Sequence, residues 1–147
     1  MLTFRNLEVD AAAPVEQWPY EAIVTAIERG TVVDWVRITA AIARDPWGEV
    51  ARQVEEYLSY EQPYGVAGLL HRAIDRARAE AQQDERTRVA AAVRALVAAS
   101  SLSREEFARR IGTSRSRLST YCTGSVIPSA ALLQRMSDLV DRISSAD

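Results

Sequence analysis

The chain has 147 residues, enough for one medium domain or two small ones, and its 48% apolar composition provides for a buried core and excludes a disordered chain. One cysteine, Cys122, excludes an intrachain disulfide, and with a single histidine, His71, the chain lacks the usual ligands of a zinc site. The net charge of −2 divides unevenly: residues 1–82 hold 8 arginines against 13 acids, and residues 83–147 hold 10 arginines against 7 acids. A locally positive segment attracts phosphate backbones even when the whole chain is acidic, so the two parts are expected to meet different partners. No apolar run reaches the length of a membrane span and the first thirty residues lack a signal-peptide pattern, so a cytoplasmic protein without a membrane partner is expected.

In chain order, residues 2–9 (LTFRNLEV) carry apolar side chains at 2, 4, 7 and 9, an imperfect alternation that predicts a short strand or an extended arm. Helices are expected from there on. Pro19 opens the first, Ile23, Val24 and Ile27 give its apolar face, and Gly30 ends it. Asp34 is the expected cap of a second helix carrying Trp35, Ile38 and Ile42. Asp45-Pro46 reads as an N-cap followed by proline in the first helical position, opening a third helix with Trp47, Val50, Val54, Tyr57 and Leu58 on one stripe. Pro63 and Gly65 mark the next break, after which Val66, Leu69, Leu70 and Ile74 share a side of a fourth helix. Residues 75–88 (DRARAEAQQDERTR) have no large apolar side chain but also no glycine or proline, and predict an exposed helical connector. Apolar spacing resumes at Val89, Val93, Leu96 and Val97. The expected division is therefore an N-terminal helical domain, 1–82, and a second domain, 83–147.

The second domain carries the motif. Ser103-Arg104-Glu105-Glu106 has the spacing of a capping box, and Phe107, Ala108 and Ile111 form the inward face of a short helix. Gly112 then suits a left-handed turn, and Ser114 caps a new helix with Leu118 and Tyr121 inward. Two helices joined by three residues pack closely when the contact residue on the first is small, which Ala108 is. This is helix-turn-helix spacing. The second helix carries only arginine as charge, among serines and threonines, a composition unlike the glutamate-arginine pairing of an ordinary solvent face.

The segment Leu102 to Ser129, LSREEFARRIGTSRSRLSTYCTGSVIPS, resembles the helix-turn-helix of Xre-type regulators, the group of the lambdoid phage repressors and Cro. The resemblance rests on Ala108, Gly112, Leu118, Gly124 and the Pro128-Ser129 start of the next helix, and covers residues 86 to 142. The front half bears a weaker similarity to actinobacterial Xre-type proteins, which brings no mechanism with it. The resemblance implies that the helix from 115 to 122 enters the major groove of double-stranded DNA, with Arg115, Ser116 and Thr120 meeting base edges. The physical chemistry agrees: arginine reaches guanine O6 and N7 in a bidentate contact, and short hydroxyls suit a crowded groove. Ser103, Arg104, Ser114, Arg117 and Ser125 are the expected phosphate contacts. Ser125 stands where the family often has a basic residue, which implies a weaker contact there. The sequence stops at Asp147, short of the fifth helix that helps many members dimerise, so dimer contacts are expected from the N-terminal helices or the connector.

The resulting expectation is an all-α, sequence-specific transcriptional regulator, a homodimeric repressor of an inverted repeat, whose N-terminal domain dimerises or binds a protein partner or effector. The alternatives are an antitoxin-like protein that neutralises a toxin through its acidic N-terminal domain, and a protein adaptor that does not bind DNA. No catalytic constellation, phosphate-binding glycine loop or metal-ligand spacing is present, so neither enzyme activity nor a cofactor is expected. The eight aromatics of residues 1–82 are expected to pack a core, His71 to be solvated or hydrogen-bonded, and Cys122 to have no redox role.

Overall fold

The computed structural model describes residues 2–147. The fold is all-α: seven α-helices and a short 3-10 turn at Val15–Gln17, with no strand among the described residues. The chain divides into two compact units, Met1–Ala81 and Gln82–Asp147. Among the described residues no helix is long and apolar enough to cross a membrane.

In the first unit, α1 (Tyr20–Arg29), α2 (Val32–Arg44), α3 (Glu49–Leu58) and the first half of α4 (Val66–Ser100) enclose one core. Ile23, Ile27, Ile38, Ile42, Val54 and Leu70 lie at its centre, each from the inward stripe of its helix. Residues 2–9 form an irregular arm, not a strand. Asn6 has φ 61°, a left-handed conformation that breaks the alternation, and Leu2, Phe4, Leu7 and Val9 still pack half-buried on the core. Arg37 fastens the segment that follows. Its guanidinium donates to the carbonyls of Ala11 at 2.7 Å and Ala13 at 2.9 Å and lies over the Trp18 ring, 4.8 Å from its centroid.

Two expected helix starts are corrected. α2 is capped by Thr31, and Asp34 acts from inside the first turn, where its Oδ2 accepts from the Thr31 N–H at 2.9 Å. α3 begins at Glu49, after Gly48, instead of at Asp45-Pro46. Asp45 ends α2, donating its N–H to the Ala41 carbonyl, and the Pro46 carbonyl is held by Arg78 Nε at 2.9 Å. Arg78 also pairs with Glu55 and covers the Trp47 ring. Asp45-Pro46 instead opens a turn that the Gly48 N–H closes onto the Asp45 carbonyl at 3.0 Å, and the helix starts after it. Of the eight aromatics, Trp18 and Tyr57 are buried, while Trp47, Tyr60 and Tyr64 are exposed. His71 is exposed.

The fourth helical face, the connector and the face beginning at Val89 are one 35-residue helix. Residues 75–88 supply no breaker, and helix propagation adds a hydrogen bond for each residue fixed, so good helix formers carry it across the apolar gap. It stops at Ser101, whose φ is 58°. Buried Ser100 secures the end by donating its hydroxyl to the Val97 carbonyl and accepting the Leu102 N–H.

In the second unit, the later part of α4 packs with α5 (Arg104–Ile111), α6 (Arg115–Thr123) and α7 (Ala130–Ser145) around Val93, Phe107, Ile111, Leu118, Met136 and Leu139. Ser129 caps α7 by accepting the Leu132 N–H at 3.1 Å.

Candidate nucleic-acid interface

Three local devices set α5 and α6 at their angle. Ser103 Oγ accepts the Glu106 N–H at 3.2 Å, Gly112 ends α5 with φ 81°, and Ser114 Oγ accepts the Arg117 N–H at 3.1 Å. At the turn, the Thr113 N–H closes onto the Ala108 carbonyl at 2.9 Å. Ala108 is buried against the rest of the core, as its small side chain allows. Gly124, at φ 82°, ends α6 in the same manner, and the Val126 N–H folds back to the Thr120 carbonyl.

The expected capping box is half formed. Ser103 does cap α5, but the Glu106 carboxylate turns along the helix to Arg109, at 2.6 Å, and Arg110, at 2.9 Å. The hydrogen bonds from Arg109 and then Arg110 hold the Glu106 carboxyl down at about 2. Two cationic guanidiniums supplying three N–H donors take the carboxylate in place of one neutral backbone amide, since with both partners charged the hydrogen bond is joined by direct ion-pair attraction.

α6 presents Leu118, Tyr121 and Cys122 to the core. Helical geometry then puts Ser116, Ser119, Thr120 and Thr123 on the outward side, with Arg115 and Arg117 along its two borders. Arg115, Ser116, Arg117 and Thr123 are exposed, and Ser119 and Thr120 are half-buried. Neither arginine is in an ion pair among the described residues. No carboxylate occurs from Ile111 to Ser129. The Thr120 hydroxyl donates to the Arg117 carbonyl at 2.6 Å, so outward it offers lone pairs and acts as an acceptor. Ser125, on the turn after α6, donates its hydroxyl to the Thr120 carbonyl at 3.3 Å. Ser103 and Arg104 stand exposed at the start of α5, and Ser114 at the start of α6. Both helix starts have first-turn amides without intrahelical acceptors, facing the same kind of ligand as the helix dipole favours.

Residues absent from the expectation also shape the interface. Arg94 Nη1 donates to the Cys122 carbonyl at 2.6 Å, and Arg135 Nη1 to the Ile111 carbonyl at 3.2 Å, satisfying the open C-terminal ends of α6 and α5. Nothing local marks these arginines. Ser119 and Thr123, in contrast, follow from the helical period once Leu118, Tyr121 and Cys122 are known to be inward.

This pair of short helices, with a left-handed glycine between them and a capped second helix turned outward, defines a helix-turn-helix domain. Residues 88–142 match the family model described as "Helix-turn-helix domain", which fits an Xre-like regulator. No curated protein and no solved structure gives a significant match to the chain.

Proposed function

We propose that the chain is a homodimeric transcriptional repressor that reads an inverted repeat in double-stranded DNA. The helix-turn-helix domain supports a DNA-binding regulator. The observation that carries the finer reading is the outward face of α6, a strip of hydroxyls bordered by two unpaired arginines, with no carboxylate to repel a phosphate backbone. In this reading Arg115 takes guanine O6 and N7, Ser116 reads a neighbouring edge, and Thr120, as an acceptor, receives the amino group of cytosine or adenine. Ser103, Arg104, Ser114 and Arg117 hold phosphates, and Ser125 does so weakly because its hydroxyl proton faces inward. Two such helices in a dimer address half-sites roughly 34 Å apart.

The acidic charge of residues 1–82 favours one rival, an antitoxin-like protein whose first unit binds a basic toxin. The experiment is selection of duplexes from a random library with the full chain, followed by titration of wild type and Arg115→Ala against the enriched site. An enriched inverted repeat is expected, with Arg115→Ala losing about 1–3 kcal/mol and losing discrimination at one base pair of each half-site. Sequence-blind binding governed by salt alone would overturn the reading.

A further inference from the structure

One face of the first unit is shaped to receive helices and holds none within its own unit. α2 lines one wall of a groove with Val32, Val36, Thr39 and Ala43, and α4 lines the other with Leu69, Ala73 and Ala77, around a volume of about 760 Å³. The α2 residues recur at alternating four- and three-residue steps, the seam spacing of helices that pack at a shallow angle. Val32 and Val36 are 62% and 57% exposed, apolar side chains one turn apart where a solvated helix start would carry polar ones. Trp35 also lines the groove, and its indole N–H is already donated to the Ala26 carbonyl at 3.0 Å, so the ring contributes apolar surface.

The rim identifies the occupant. Arg72, Asp75, Arg76 and Glu80 border the groove, two of each sign. Among the described residues Arg72 and Asp75 take part in no ion pair, and Arg76 pairs only along its own helix with Glu80, at 2.9 Å. Residues 1–82 as a whole hold 8 arginines against 13 acids, so contact between two copies would generally set acid against acid. This face is balanced. In a two-fold pairing with α4 antiparallel to its copy and the axis near Arg76, Arg72 would lie opposite Glu80 twice, each Arg76 at the axis would keep its own-helix partner Glu80, and Val32 and Val36 of each α2 would meet the apolar groove of the other.

We propose that this face is the homodimer interface, with α2 and the first half of α4 pairing with the same helices of a second copy. The inference rests on the dimeric reading above and names its surface.

The test is sedimentation of the full chain, alone and with duplexes carrying a whole selected site or one half of it. Wild type is expected to be a dimer at micromolar concentration. Val36→Glu puts a carboxylate into the contact at a position exposed in the single chain, and is expected to give a monomer with unchanged circular dichroism that binds the half-site like wild type and the whole site more weakly. Arg72→Glu and Glu80→Arg are each expected to weaken association roughly tenfold, and the double variant to regain it. A wild-type dimer that survives Val36→Glu and both charge reversals overturns the proposal. A wild type that stays monomeric at high micromolar concentration also overturns it and leaves the groove to a different protein. If no DNA sequence is selected but Val36→Glu still converts dimer to monomer, the DNA reading fails and the interface stands.

Discussion

α5 and α6 share a design: each is short, starts at a serine that caps through its hydroxyl, and ends at a glycine with φ of 81° or 82°. Their solvent sides differ. α5 carries Glu105 and Glu106, and Glu106 engages both Arg109 and Arg110, whereas α6 has no acid and leaves Arg115 and Arg117 without ion-pair partners. The five arginines of the two helices therefore fall into two classes. Arg109 and Arg110 are engaged by Glu106 within α5, while Arg104 at the start of α5 and Arg115 and Arg117 on α6 have no ion-pair partner among the described residues and retain their capacity for an external anion. Neighbours one turn away, more than residue type, decide whether a cation is free for phosphate.

The shared core is the strongest test of the likeness. Phe107 on α5 and Leu118 on α6 are both completely buried in the same cluster. Phe107→Ala is expected to lower stability by about 3–5 kcal/mol and Leu118→Ala by about 2–5 kcal/mol, read by urea unfolding of the full chain. An effect confined to one of the two would mean that the helices do not share a cooperative core.

The glycines come next. An added Cβ meets its nearest neighbour at 3.7 Å for Gly112 and 3.4 Å for Gly124, ordinary contact distances, so the left-handed backbone alone sets the cost. Gly112→Ala and Gly124→Ala should each destabilise by about 1–2 kcal/mol in the same measurement. A much larger value at one position would show that the two turns are not equivalent.

The contrast in charge is sharpened by a pair of variants read on DNA. Arg117→Ala should reduce the slope of log affinity against log salt by about one, while Arg109→Ala should leave it nearly unchanged. Equal slopes for the two variants would erase the distinction between the helices.

The smallest expected effect is in acid. The Glu106 carboxyl lies below its ordinary 4.5 at about 2 because Arg109 and Arg110 hydrogen-bond its charged form. The folded value is depressed, so whatever stability the group contributes is present above pH 4.5 and declines as pH falls from there toward 2. Glu106 is half-buried but its arginine partners are exposed, and the contribution is correspondingly small. Carboxyl carbon resonances followed through an acid titration should show Glu106 ionising well below its ordinary 4.5, and a midpoint at 4.5 would dissolve the arginine cluster.

Sequence was most informative where structure depends on neighbours in the chain. The caps at Ser103, Ser114 and Ser129 and the turns at Gly112 and Gly124 each close hydrogen bonds over a few residues, so residue type and spacing carry them. Leu118 and Tyr121 of the inward set of α6 were legible for the same reason, since a helical period needs no knowledge of the partner, while buried Cys122 completes the set only in the structure. The same local logic failed at Asp45-Pro46, which opens a turn closed by the Gly48 N–H, and at Glu106, where arginines displaced the capping amide.

By itself, then, the sequence determined an all-α chain, the positions of the two interface helices and the hydroxyl-and-arginine character of α6, because backbone geometry and nearest-neighbour hydrogen bonds act at short range. Tertiary structure decided the rest. It alone revealed that Arg94 and Arg135 close the ends of α6 and α5, that Arg37 pins the N-terminal segment, and that two exposed valines, Val32 and Val36, line a groove on one face of the first unit. Those features join residues some two dozen or more positions apart, and their partners are chosen by packing and by which carbonyls and charges remain unsatisfied after the helices form.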